Sequence, residues 1–389
     1  MKINYKQLSV LVFMSFISLK LLALPSLLYV DSENMSWLVA LVLMIVDAIY
    51  VFLILDLMKK CDEKNILEFM NKCLGPVLTR LFLLVYIIKY ALVVANISKG
   101  LEFFVVENFY NEFNWLVFIL PLMALIGFMT YKGIRNIARV SEMINLAIVI
   151  GCLYIAFQSF SSADPTAYIP MFKDGVTPLL KSGFNHLSWF GSASFMMLLF
   201  GKVDFSSEKK WTMIRYLIFA IVLVQIMYYV FYGIFDNISA THNFCLSDIS
   251  QFSSQESSIN ELSWLIVALW VVAQAVQLAL YSYCMMQAIK FTFNIKNNSV
   301  PIIIVMAYIL IWSLVGENTI GLERLFFTPF ASIITILAQY VIPIVLYIGY
   351  IMQNRKRKAG MKKEIKSVIK LNPSVNVNRI KIGGEKWKK

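Results

Sequence analysis

Apolar runs of roughly 20 residues recur from residue 8 to residue 351, each closed off by charged residues. A run of about 20 apolar residues, wound as a helix, matches the hydrocarbon core of a bilayer, where every backbone group must be satisfied internally. The runs read as ten spans, at 8–30, 37–58, 77–98, 115–131, 141–160, 183–201, 212–235, 260–289, 300–315 and 328–351. Composition supports this: 59% of the residues are apolar and only 15% are charged, too much apolar surface for a soluble interior to hide. A soluble enzyme and a disordered chain are both excluded. The first run is too long for a signal-peptide core, and no small-x-small cleavage site follows it.

The basic residues sort by connection. The N-terminus, 59–80, 132–139, 202–215, 290–296 and the tail hold 29 of the 35 Lys and Arg, which places that side, and both termini, in the cytoplasm. The opposite connections hold only Lys99, Lys173, Lys181 and Arg324. Among them, 99–114 carries Glu102, Glu107 and Glu112, and 236–259 carries Asp236, Asp248 and Glu256. Residues 1–352 thus read as one transmembrane domain and 353–389 as a basic tail, mobile or lying on anionic lipid. The charge belongs to a lipid surface and not to a nucleic-acid interface. The stretch 64–74 reads as a short interfacial helix that stops at Gly75.

Two charges and two weakened segments stand out within the spans. Span 1 holds Lys20 about ten residues from its outer end, roughly 15 Å if helical and too deep for easy snorkelling. Pro25 removes a backbone donor and weakens the helix near residue 21. Span 6 holds Ser188, Gly191, Ser192, Ala193 and Ser194 in an otherwise apolar stretch, which fits either a segment that unwinds around a ligand or close helix packing. His186 reads as a structural histidine. Span 3 carries Tyr86, Lys89, Tyr90 and Asn96, with Tyr86, Lys89 and Asn96 on one stripe. Asp47 in span 2 is the counter-charge for Lys20 or for Lys89. Span 8 presents Trp270, Gln274, Gln277 and Tyr281 as one polar stripe, and span 10 presents Ser332, Thr335 and Gln339 likewise.

Five plus five spans suggest an inverted repeat whose halves meet at spans 1 and 6. A ligand site there, walled by spans 3 and 8, draws on Ser18, Lys20, Ala23, Tyr86, Tyr90, Ser188, Gly191, Ser192, Ser194, Gln274 and Gln277, with Lys20, Asp47 and Lys89 as its charged groups. No HExxH, GxSxG, phosphate-binding loop or Gly-rich dinucleotide turn is present, and the five cysteines are scattered, so neither catalysis nor a metal or other cofactor is expected.

Several motifs carry a resemblance. They are Gln7 before span 1, Leu21-Leu22-Ala23-Leu24-Pro25, Trp37 opening span 2, Gly75 before span 3, the segment Gly133–Glu142 entering span 5, and Glu261-Leu262-Ser263-Trp264 ahead of span 8. On these the chain resembles, over residues 5–350, the spore-germination receptor B subunits of the amino acid–polyamine–organocation transporter superfamily. The resemblance implies an all-α, LeuT-like inverted five-plus-five repeat with helices 1 and 6 broken at the midplane. It implies a non-enzymatic receptor subunit in the spore inner membrane that senses a small nutrient, an amino acid by class, beside an A subunit and a lipoprotein C subunit. The alternative is a proton-coupled amino-acid transporter; a third reading is an assembly partner with a dead pocket. The sequence departs from the family at Ser18 and Lys20, where a Gly-x-Gly is usual. It departs again at Gly191–Ser194, which lacks the family's acid.

The topology is testable. A cysteine at Ser254 is expected to react with an impermeant thiol reagent on intact cells, while one in the tail is protected; the reverse pattern would overturn the orientation.

Overall fold

Local chemistry starts and stops the helices where the charges fall. The computed structural model describes residues 2–60, 65–109, 115–169, 172–173, 175–206, 208–256, 260–315 and 328–355, with 381–382 and 385–386 as a two-residue antiparallel pair. Helix α1 (Tyr5–Ser18) begins with a reciprocal cap: Gln7 N donates to the Asn4 side chain at 2.7 Å, and Asn4 N donates to the Gln7 side chain at 3.2 Å. Helix α2 (Leu24–Ser32) restarts with Pro25 in its first turn, so span 1 is two helices separated by residues 19–23. Helix α3 (Ser36–Lys60) places Lys59 and Lys60 in its last turn. A short helix is present there as α4 (Ile66–Leu74), capped by Asn65 and ended at Gly75, whose φ of +80° suits glycine.

Then follow α5 (Pro76–Phe109), α6 (Trp115–Lys132) and α7 (Ile134–Ser159). Span 6 is again divided, into α8 (Thr177–His186), a 3-10 turn at Leu187–Trp189 and a second, tightly wound segment at Ser192–Leu199. The chain continues through α9 (Lys210–Phe235), α10 (Cys245–Glu256), α11 (Asn260–Thr292), α12 (Ser299–Val315) and α13 (Pro329–Ile336). The last helix runs on through a π turn at Leu337–Val341 to Arg355.

Six helical stretches among the described residues are long and apolar enough to cross a membrane: Leu24–Lys60, Pro76–Val106, Ile134–Ser162, Trp211–Thr241, Ala268–Thr292 and Pro329–Arg355. Shorter apolar helices cover Tyr5–Ser18, Val117–Lys132 and Ser299–Leu314. Burial separates inside from outside. In α11, 83% of its most apolar stretch is buried, against 39% for α5 and for α7, so α11 forms the centre. Helix α1 is apolar on all sides and buried from Gln7 to Ser18. Side chains such as Ile49, Val77, Phe157 and Ile303 point outward, as a lipid-facing surface requires.

One expectation is corrected. Residues 99–109 are not a loop, because α5 continues to Phe109. Lys99 is buried, 2.5 Å from Glu102 one turn on and 3.4 Å from the Ser313 carbonyl, so the two charges answer each other without ending the helix. Glu112, Arg324 and the tail at 356–380 lie outside the described residues.

The connections gather at two ends. At one, strand β1 (Ile3–Asn4) pairs in parallel with β2 (Val203–Asp204), Gln7 donates to Glu142 at 3.1 Å, and Tyr350 donates to the Lys60 carbonyl at 3.2 Å. At the other, Asn34 donates to the Ile169 carbonyl at 3.2 Å and Asn185 to Asp31 at 2.9 Å. Helix α3 runs from the second end to the first, and the first holds most of the Lys and Arg.

A close backbone approach joins α9 to the segment after α7. Asp164 N donates to the Gly233 carbonyl at 2.8 Å, and a Cβ at Gly233 would lie 2.8 Å from Ala163 Cβ and 3.2 Å from its Cα. Gly233→Ala is expected to destabilise the protein by about 1–3 kcal/mol. Gly183→Ala, with open space around it, is expected to be neutral or slightly stabilising. Melting in detergent checks both, and equal melting temperatures would disprove the close approach.

Candidate functional site

The two interruptions meet. Lys20 sits in the first, with 0% of its surface exposed. Its Nζ lies 3.5 Å from Asp47 Oδ2 of α3 and donates to Ser192 Oγ, just beyond the second interruption, at 3.1 Å. Ser192 in turn donates to the same Asp47 oxygen at 3.2 Å. The ammonium also faces the rings of Phe16 and Phe190 at 4.7 and 4.9 Å. Of the two counter-ion assignments open in the sequence, the geometry selects Lys20 with Asp47. A buried pair of this kind needs additional hydrogen bonds to offset desolvation, and Ser192 supplies them to both partners.

Breaking a helix leaves carbonyls unpaired, and inside a membrane each costs several kcal/mol. Continuous helices answer them here. Tyr228 donates to the Lys20 carbonyl at 2.8 Å and Tyr232 to the Pro25 carbonyl at 2.9 Å, both from α9. Gln274 of α11 donates to the Ser18 carbonyl at 3.0 Å. Cys245 N reaches the Leu22 carbonyl at 3.3 Å. At the second interruption, Gln339 in the π turn donates to the Ser188 carbonyl at 3.2 Å. Gly191 has φ +75°, and a Cβ there would lie 2.8 Å from Gln339 Cδ. Glycine is required both for conformation and for space.

Beside the pair, Lys89 of α5 is 1% exposed, hydrogen-bonds to Ser194 Oγ and lies 5.0 Å from the centre of the Tyr90 ring. Among the described residues no carboxylate forms an ion pair with it. Tyr86, Tyr90 and Tyr281 stack in series at 6.0 and 6.1 Å. The Tyr86 hydroxyl, both polar atoms of Gln277 and the Gln339 oxygen are buried without hydrogen-bond partners among the described residues. A cavity of about 20 Å³, bounded by Leu19, Lys89, Asn96, Ser188, Ser192 and Tyr281, lies between the interruptions. That is room for about one water.

The family described as "Spore germination protein" matches residues 2–319, most of the chain. The protein belongs to the spore germination protein family. Spore germination protein KB of Bacillus subtilis (strain 168) is 23% identical over 238 residues, covering 60% of this chain and 64% of that relative. The chain therefore spans slightly less than two thirds of the length of the curated relative it matches. Together with its six long apolar helices, family membership makes it a multi-pass membrane protein.

Not every residue expected at the site of this spore germination protein lies in one place. Lys20, Asp47 and Ser192 form one cluster; Lys89, Tyr90 and Ser194 adjoin it. Ser18 joins Gln274 at 3.2 Å, and Ser188 and Gly191 meet Gln339. Tyr86 extends the ring stack, and Gln277 is buried one turn beyond Gln274. Ala23 lies at the start of α2, its carbonyl accepting from Ser26 Oγ at 2.9 Å. His186 is buried with Nδ1 3.0 Å from the Ser182 carbonyl. Tyr228, Tyr232, Phe16 and Phe190 were not expected at the site. The spacing of the two tyrosines by one helical turn within an apolar span is a signal that could have found them.

The pair has a direct test. Lys20→Met strands a buried carboxylate and is expected to cost about 3–5 kcal/mol, seen as loss of folded protein from the membrane, whereas Lys20→Met with Asp47→Asn recovers most of it. If Lys20→Met alone accumulates like the wild type, the pair does not hold these segments together.

Proposed function

We propose that this protein is the membrane subunit of a spore nutrient-germinant receptor, binding a small nutrient, an amino acid by class, between its two interrupted segments. The observation that carries the reading is the meeting of both interruptions around a buried Lys20–Asp47–Ser192 cluster, in a chain of the spore germination family. Buried polar groups without partners beside it, on Tyr86, Gln277 and Gln339, are the donors and acceptors a polar ligand would use. The space between the interruptions accepts about one water, so nutrient entry requires the segments to part. In this reading the chain makes ten spans in an inverted five-plus-five repeat, with interruptions at equivalent positions of its halves. Both termini lie in the cytoplasm, and the subunit works with A and C subunits in the spore inner membrane without catalysing a reaction.

A second reading has its own support. Two buried lysines and a buried aspartate within one site are the equipment of a proton-coupled amino-acid transporter. Uptake of labelled amino acids by the purified protein in liposomes under a proton gradient would favour it.

The receptor reading is tested in spores. A deletion strain is screened against a panel of amino acids and sugars and complemented with the wild type or with Gly191→Leu. The variant, whose Leu meets Gln339 at a left-handed position, is expected to abolish the response to the restoring nutrient, with its membrane abundance measured alongside, and a normal dose response would count against the site.

A further inference from the structure

The end of the molecule where β1 pairs with β2 contains a second, larger cavity of about 580 Å³, within the usual range for ligand sites. It is bounded by the end of α6, the start of α7, the turn before β2 and the last turns of α11. Lys2, Lys132, Arg135, Lys202 and Lys290 line it, and no Asp or Glu does among the described residues. Lys2 acts on Asp204 only from beyond ion-pair distance. The other four cations form no ion pair among the described residues.

Basic residues at this end are expected from topology alone, and most such charges simply point into water. These do not all do so. Lys202 is partly buried and donates to the Tyr283 hydroxyl at 2.7 Å, and Lys290 donates to Asn298 at 2.5 Å. Burial pushes the Lys202 ammonium down to about 8, and the Lys290 charge adds to the fall. Like charges thus line one open-mouthed cavity. Gly133, with φ +88°, begins α7 without any side-chain cap, so the positive end of a long helix opens at the same wall. Thr130, also lining the cavity, is 1% exposed, and its hydroxyl has no hydrogen-bond partner among the described residues.

We propose that this cavity binds a phosphate-type anion, either free in solution or as the headgroup of an anionic phospholipid. Its four cations without an ion pair among the described residues, its helix start without a side-chain cap and the Thr130 hydroxyl match the charge and the acceptor oxygens of such a group. The site is separate from the interrupted segments, and its occupant would bridge α6, α7, α11 and the connection that leads into β2.

The test uses the full-length protein in nanodiscs of phosphatidylcholine titrated with inorganic phosphate, and in parallel nanodiscs that contain phosphatidylglycerol. Melting temperature and amide exchange over residues 133–137 are read. Lys132→Gln with Arg135→Gln removes two exposed cations from the cavity. Lys209→Gln with Arg215→Gln removes equal charge from exposed positions nearby that do not line it. The wild type and the second variant are expected to gain protection with one or both anion sources. The cavity variant is expected to lose about tenfold in apparent affinity for each cation removed. A response to free phosphate assigns a solution anion, and a response to phosphatidylglycerol alone assigns a headgroup; both sustain the proposal. No response from the wild type to either source, or equal losses in the two variants, would overturn it.

Discussion

A lysine ammonium placed in the middle of an apolar slab has to be answered by the protein itself. Moving such an ion out of water costs several kcal/mol even after relaxation. Lys20 is answered from three separate parts of the chain: Asp47 on α3, Ser192 beyond the second interruption, and the faces of Phe16 and Phe190. None of these is near it in sequence except Phe16. The charge therefore couples the first interruption to the second through α3, and the packing of α1 against its neighbours follows from that demand.

The interruptions impose a second demand, for backbone partners. Long polar side chains on uninterrupted helices meet it: Tyr228 and Tyr232 on α9, Gln274 on α11, and Gln339 where the last helix loosens into a π turn. The continuous helices act as a frame whose side chains replace the missing helical bonds. Gly191 allows the Gln339 amide to come close enough to do so.

Much of this was legible in the sequence, for reasons that are local. Pro25 forbids the donor that would have continued α1, and the break falls at 19–23. Gly191 among serines marks the second break, and Asn65 and Gly75 bracket α4. What was not legible depended on helix rotation and on neighbours far along the chain. Periodicity shows which residues share a face but not what that face meets, so it could not choose between Lys20 and Lys89 for Asp47. Nor could it foresee that Ser194, a residue with no charge, would receive Lys89. The length of α5 was missed because Lys99 and Glu102, read singly, look like a boundary, whereas as a pair they are a neutral turn of helix. Ala23 belongs to the helix restart, where its carbonyl accepts from Ser26.

The small sheet between Ile3–Asn4 and Val203–Asp204 has a mechanical consequence. It ties the root of α1 to the chain just past the Ser192–Leu199 segment, while the Lys20–Ser192 contact ties the same two segments at their other ends. Two rods pinned at both ends are a single strut. Any displacement of the amino-terminal end is then delivered to Ser192 and the carboxylate behind it, and a rearrangement at the charge cluster is felt at residue 3. Of each interrupted segment, the half nearer the sheet, α1 or Ser192–Leu199, is thereby held at both ends, and α2 and α8 are the halves the sheet does not tie.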